Sequence, residues 1–279
     1  AMICRLKITY NDGTSENIIS NGSWKAAPGP ILFSSEYGGE DYDATREIRG
    51  WDSPGLNTSG WKNAVVTQGP SHLEGMIEDP VRIMDRFSAK KIYQVPSGAW
   101  VYDLGQNAAG IPAITVRGKK GDTIRITPAE IVEGNGEISQ KGSGGPSYFT
   151  YILKGAGDET WQPRFSYYGF RYLQIQGGVP AGKPNPLQLP AIERAQGLHI
   201  RNSAETVGTF WCSDTLFNRI FTLIDWSIKS NMTSLFTDCP HREKLGWLEE
   251  AHLMGSSIHY NYDIANLNRR TIFNMEDAQ

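Results

Sequence analysis

Thr237-Asp238-Cys239-Pro240-His241-Arg242-Glu243-Lys244-Leu245-Gly246-Trp247-Leu248-Glu249-Glu250 packs acids, cations and a large aromatic more closely than any other stretch of the 279-residue chain. Its local chemistry predicts a helix beginning near Pro240. Proline suits the first helical position, where its missing N–H costs nothing, and Asp238 just upstream offers acceptors to the exposed first-turn amides. At about 100° per residue, Glu243, Trp247 and Glu250 then fall within about 60° of one another, with His241, Leu245, Leu248 and His252 on the opposite side. One face would present two carboxylates and an indole to a cavity, and the other would pack.

An apolar ring disfavours the charged form of a neighbouring carboxyl, whereas a cation favours it. Glu243 has Trp247 one expected turn away and Arg242 beside it, so the sequence leaves open which influence dominates. A tunable pair of acids is what glycosidic cleavage requires: one protonates the leaving oxygen, the other acts on water or on the anomeric carbon. Trp247 would add a flat apolar surface for the C–H face of a sugar ring. The same residues also fit a plainer role, in which first-turn acids complement the helix dipole, Glu243 and Trp247 pack as i,i+4 neighbours, and Glu249-Glu250 form a solvated face.

The pattern Asp-Cys-Pro-x-Arg-Glu-x-x-Gly-Trp-x-x-acid closely resembles the signature of the glycoside hydrolase family 78 α-L-rhamnosidases. The resemblance implies that Glu243 is the general acid and that Asp238, Arg242, Trp247 and Glu250 bind the sugar; the last position is commonly aspartate in the family, so Glu250 brings a longer arm. It also implies an inverting hydrolase that removes terminal α-L-rhamnose from polysaccharides or glycosides; no cofactor or metal is expected. Gly38-Gly39-Glu40-Asp41-Tyr42-Asp43 and the Gly-Trp pairs at 50–51 and 60–61 resemble the family's N-terminal accessory domain. Tyr102-Asp103-Leu104-Gly105-Gln106-Asn107-Ala108-Ala109-Gly110 and Gly169-Phe170-Arg171-Tyr172 resemble further family segments and read as structural corners, with Asp103 and Asn107 bonding turn amides. The family's water-activating glutamate has no counterpart here, which leaves Glu250 as a fallback, and residues 206–279 correspond to the opening of an (α/α)6 barrel. These residues alone are therefore expected to be weakly active or inactive. A reading from another class is a non-catalytic carbohydrate-binding or structural module.

The totals narrow the partners. With 27 basic and 30 acidic residues the formal charge is −3, which gives no electrostatic case for nucleic acid or an anionic membrane. No apolar run approaches the roughly 18 residues of a membrane span. Cys4, Cys212 and Cys239 form no CxxC and cannot all pair, which argues against a disulfide scaffold. Cys239 as a nucleophile at a helix start, or with His241 as a zinc ligand, lacks supporting partners. A rhamnose-containing oligo- or polysaccharide is the expected partner, oligomeric state stays open, and substrate size points to a periplasmic or secreted location.

The remaining sequence predicts a multidomain β + α chain. Residues 3–20 alternate around Asn11-Asp12-Gly13 as a hairpin, and Trp24, Trp51 and Trp61 sit in Gly/Ser/Pro-rich sequence as core plugs or sugar platforms. From about residue 80, short strands and glycine turns at regular spacing predict an antiparallel β-sandwich. These include 92–95, 100–103, 114–117, 123–126, 149–153, 170–175 and 197–200. Pro180 to Pro190 reads as a linker or surface crossing. After Cys212 the period changes to about 3.6, predicting a Ser213-capped helix with Leu216, Phe217, Ile220, Leu223, Ile224 and Ile228 on its apolar face, and a later helix after Asp263. The expected segments are an accessory β domain at 1–75, a β-sandwich domain at 76–205 and the start of the helical barrel at 206–279.

Overall fold

The computed structural model describes residues 2–70 and 73–279. Among these the strands run β1 (Arg5–Thr9), β2 (Ser15–Ile19), β3 (Lys25–Ala26), β4 (Ile31–Ser35), β5 (Gly39–Asp43), β6 (Lys62–Asn63), β7 (Val81–Ser88), β8 (Lys91–Gln94) and β9 (Trp100–Arg117). They continue as β10 (Thr123–Ala129), β11 (Ile131–Val132), β12 (Ile138–Ser139), β13 (Tyr148–Ile152), β14 (Asp158–Trp161), β15 (Tyr168–Gln176), β16 (Val179–Pro180) and β17 (Ala191–Asn202), before helices α1 (Thr215–Ser230), α2 (Leu248–His259) and α3 (Ala265–Asp277).

Two compact units emerge, one of residues 1–30 and 46–75 and the other of residues 31–45 and 76–279. In the first, β1 and β2 form the expected antiparallel hairpin, Arg5 opposite Ile19 and Thr9 opposite Ser15. Its turn uses Gly13 at φ +86, a conformation that glycine adopts without a Cβ penalty.

The expected boundary at residue 75 differs from this partition. Residues 31–45 leave the first unit because β5 pairs in parallel with β13, Tyr148 opposite Gly39 and Ile152 opposite Asp43, and β4 pairs with β5. The helices likewise belong to the same compact unit as the sheet.

The large sheet follows the order β16-β17-β9-β15-β10-β13-β5-β4, with β14 and β8 also on β9 and β7 on β17. Its core gathers Leu104, Ile114, Ile124, Ile126, Phe149 and Leu173, all 1% exposed or less. At about 25 cal/mol per Å² of apolar surface, such alternating inward side chains are the main force holding the layers together. Residues 100–103 and 114–117, expected as separate strands, are the two ends of the single 18-residue β9. The stretch between them does not end the strand: between Asp103 and Ala108 the pairing with β15 shifts register, and Gly105 at φ +79 absorbs the irregularity. The two segments read as corners are therefore partners, Gly110 opposite Tyr168 and Asp103 opposite Tyr172. Asp103 does accept from the Gly105 amide at 2.8 Å and also binds Arg171 at 2.7 Å. Among the described residues Asn107 bonds no turn amide; its Nδ2 donates to Glu130. The proline-rich 180–190 stretch is an intra-sheet connection, joining β16 to its parallel neighbour β17.

A second core of Ile228, Met232, Phe236, Ile258, Tyr262, Ile264 and Leu267 unites the helices. The cap of α1 is Asp214 rather than Ser213, its Oδ1 accepting from Leu216 N at 2.8 Å. Of the predicted apolar stripe only Ile228 is buried, whereas Leu216, Phe217, Ile220, Leu223 and Ile224 are exposed. The helix docks on the sheet by its C-terminal turns, where Trp226 meets Phe87 and His199 edge-on and the Ser230 hydroxyl accepts from Ala109 N. No helix of the described residues is long and apolar enough to cross a membrane.

Candidate active site

The stretch 238–247 departs from the expected helix. Residues 240–243 form a turn, 244–247 are irregular, and the helix begins only at Leu248 with Trp247 as its cap. The physical reasons lie in the residues. Lys244 takes φ +53, a left-handed conformation that terminates an α-helix and is unfavourable for a side chain bearing a Cβ. Asp238, instead of capping a first turn, closes an eight-residue loop, 238–245: its Oδ1 accepts from Leu245 N at 3.0 Å and its own N–H donates to Leu245 O at 3.2 Å. The Glu243 amide donates to Cys239 Sγ at 3.3 Å. The 3.6-residue face predicted for Glu243, Trp247 and Glu250, and the opposite one of His241, Leu245, Leu248 and His252, therefore do not exist as drawn.

Folding the loop still brings several of these side chains together. Glu243 Oε1 accepts from Arg242 Nη2 at 3.1 Å and its Oε2 from Trp247 Nε1 at 3.4 Å. The Glu243 side chain keeps 37% of its exposure. Asp238 and Glu250 meet elsewhere, in the lining of a cavity of about 210 Å³ between α1 and α2 that Ser227, Asn231, Phe236 and Met254 help to close. Trp247 faces a different groove, of about 560 Å³, beside Leu235, Ala251 and Met275. Phe236 belongs to both linings. Burial opposes the charge on Asp238, but hydrogen bonds from the Cys239 side chain and the Leu245 and Cys239 amides prevail and hold its carboxyl below the ordinary value. It is thus a charged acceptor at neutral pH. Cys239, like Cys4 and Cys212, is a free thiol.

The sheet supplies the loop's supports; of these Gly169 stands out in the sequence, as a structural corner and not as a seat for the loop. Pro240 O accepts from Gly169 N at 3.1 Å, and a Cβ on Gly169 would lie 2.5 Å from Pro240 Cγ. Only glycine lets the loop seat so closely on β15. His241 Nε2 lies 2.9 Å from Glu130 Oε2, and its Nδ1 accepts from Arg242 N at 2.8 Å. That second bond requires an unprotonated Nδ1, so Nε2 carries the hydrogen donated to Glu130. Burial works against the Glu130 charge, yet the bonds from His241 and Asn107 outweigh it and hold its carboxyl low. Arg242 packs on Gly144, where φ is +91 and an added Cβ would come within 3.0 Å of Arg242 Cγ. Lys244 is only 9% exposed. Its Nζ donates to the carbonyls of Glu36 and Tyr167, among the rings of Tyr37, Tyr167 and Tyr168. A lysine beside a glycine-broken helix signature was the available clue, but no sequence pattern names partners 77 and 208 residues away.

Family comparisons match three successive segments of the chain. Residues 1–85 match the alpha-L-rhamnosidase N-terminal domain, 93–193 the bacterial alpha-L-rhamnosidase concanavalin-like domain, and 205–279 the bacterial alpha-L-rhamnosidase 6 hairpin glycosidase domain. The chain belongs to the α-L-rhamnosidase family. An α-L-rhamnosidase of Formosa agariphila is 34% identical over 281 residues, covering 98% of this chain and 28% of the relative, and one of Streptomyces avermitilis is 33% identical over all of this chain and 27% of its own length. Among solved structures, the α-L-rhamnosidase of Dictyoglumus thermophilum superposes with a TM-score of 0.91 at 35% identity, over 99% of this chain and 31% of the other. The Streptomyces avermitilis α-L-rhamnosidase complexed with L-rhamnose gives a TM-score of 0.90 at 33% identity, over 99% and 26%. The chain thus spans little more than a quarter of the length of these rhamnosidase relatives. Helices α1 to α3 lie within the six-hairpin match, and most of the large sheet within the concanavalin-like one, while β4, β5 and most of β7 fall in the N-terminal match.

Proposed function

We propose that these residues form the proton-donating side of an α-L-rhamnosidase site, with Glu243 as the general acid. The observation that carries the reading is the setting of the Glu243 carboxyl, oriented by a guanidinium and an indole N–H yet open to an incoming group. A proton donor needs this combination of fixed direction and access. A rhamnosyl ring would enter the cavity of about 210 Å³, whose lining includes Asp238 and Glu250 but not Glu243, so that its leaving oxygen would face out of the cavity toward the acid; this is smaller than the roughly 300–1,000 Å³ of drug-sized pockets and suits one small ring. There Asp238 and Glu250 accept hydrogen bonds from sugar hydroxyls, and Arg242 holds Glu243. The rhamnose bound in the Streptomyces relative supports the choice of sugar.

In the inverting reaction Glu243 protonates the departing oxygen while water attacks from the opposite face, which calls for an acid and a base roughly 6.5–9.5 Å apart. Hydrolysis of an aryl α-L-rhamnoside by the natural full-length protein tests the reading. Glu243→Gln is expected to lower kcat by about 10²- to 10⁴-fold, the usual contribution of a positioned acid. Glu250→Gln is expected to act chiefly on KM. Sugar binding by the wild type without any turnover would instead favour a carbohydrate-binding module.

A further inference from the structure

Lys244 follows Glu243 directly, and neither residue's backbone is held by regular secondary structure. Two contacts fix it from the β4–β5 hairpin. The Tyr37 hydroxyl donates to Glu243 O at 2.8 Å, and Lys244 Nζ donates to Glu36 O in the same turn and to Tyr167 O at 2.6 Å. The ammonium lies 4.4 Å from the centre of the Tyr167 ring, 5.7 Å from that of Tyr37 and 5.8 Å from that of Tyr168. Among the described residues no carboxylate forms an ion pair with it. A buried cation without a paired anion is costly, as is a left-handed lysine. Both costs fall on one residue, next to the proposed acid, and the surrounding contacts over-determine its conformation.

We infer that Lys244, hooked into the Tyr37–Tyr167–Tyr168 cage, is a positioning residue that aims the Glu243 carboxyl at the leaving-group oxygen, with the Tyr37 hydroxyl as its second fixing point. The inference rests on the reading of Glu243 as general acid. Its logic is geometric: with φ at Lys244 and the carbonyl of Glu243 both pinned, the Glu243 side chain keeps only its own rotamers, and Trp247 and Arg242 select among them. Unhooking Lys244 frees the peptide on the C-terminal side of Glu243. A displacement of about 1 Å is enough to cost a catalytic group on the order of 10²-fold.

The test compares two aryl α-L-rhamnosides in the natural full-length protein. One is the dinitrophenyl glycoside, whose leaving group departs with little need of a proton; the other is the unsubstituted phenyl glycoside, which needs one. Lys244→Met, with kcat expressed per folded molecule, is expected to lose roughly 10²-fold on the phenyl substrate, much less on the dinitrophenyl substrate, and to leave KM within about twofold. Tyr37→Phe keeps every ring of the cage and removes one hydroxyl, so it remains informative should Lys244→Met fold poorly. It is expected to show the same leaving-group dependence at about tenfold or less. Equal losses on both substrates, or none, in these variants would overturn the inference while leaving the proposed function intact. If the wild type hydrolyses neither glycoside, the proposed function falls. In that case the indole N–H resonance of Trp247, assigned with Trp247→Phe, still decides whether Lys244 holds Glu243 against that ring. It is expected to move in Lys244→Met, and an unmoved resonance would overturn the positioning role.

Discussion

The Lys244 ammonium has exchanged its water for two carbonyls and three aromatic faces, and burial lowers its pKa from 10.5 to about 8. The consequence for stability has a definite sign. Between pH 8 and 10.5 the unfolded chain retains a proton that the folded chain has released, so the folded state gains stability as pH rises through this window and loses that gain as pH falls back from 10.5 to 8. At roughly 1.4 kcal/mol per pH unit the full swing is on the order of 3 kcal/mol. Urea unfolding of wild type and Lys244→Met at several pH values from 7 to 10.5 should show the wild type gaining relative to the variant. Curves that stay parallel would mean that the amine is better solvated than its burial indicates. Tyr167, pushed up to about 12 by burial, keeps its proton across this window. Asp238 behaves in the opposite range: its lowered pKa contributes stability that is present above pH 3.8 and is lost as pH falls through the folded-state value.

At the level of elements, the loop 238–247 is where the sequence was read least well. Pro240, Asp238 and the following acids satisfy every local rule for a helix start, yet the acids that do lie in a first helical turn are Glu249 and Glu250, about two turns later. The break was written in Gly246, where a Cβ would lie 2.7 Å from Leu235 Cδ1, and in the placement of Lys244 among tyrosines from two distant segments. Strand periodicity, by contrast, was legible wherever one face is buried, as in Ile124 and Ile126 of β10. It failed at β9 because Gly105 and Gly110 look like stops, whereas Gly110 is there to let β17 approach, an added Cβ meeting Leu198 O at 2.2 Å. The proposed site residues were nameable because their motif is local; the supports Glu130 and Tyr37 were not, and Gly169 was nameable only as a corner, since only tertiary contact joins them to it. Gly169→Ala tests this dependence. The added methyl is expected to push Pro240 off β15, to destabilise the protein by about 1–3 kcal/mol as overpacking usually does, and to reduce turnover. Thermal unfolding with assay of the folded fraction measures both.

Across the whole molecule, the sheet acts as a jig for a loop that belongs to the helical region. Contacts from β5's hairpin, from the end of β10, from the 141–146 loop and from β15 all converge on residues 240–244. Meanwhile α1 leaves Leu216, Phe217, Ile220 and Leu223 exposed; a sequence stripe foretells an apolar face without naming what packs on it. The sheet's hold on the loop bears on how chimeras of these proteins should be cut. Exchanging residues 1–75 wholesale with a relative would also replace Glu36 and Tyr37, although they lie within a segment built into the large sheet. Exchanging only 1–30 and 46–75 would spare them. The first hybrid is expected to lose turnover of the phenyl glycoside selectively and the second to retain it, as paired kinetic assays would show. Inheritance of a catalytic trait would then follow a fifteen-residue detour of the chain rather than the boundary suggested by its linear order.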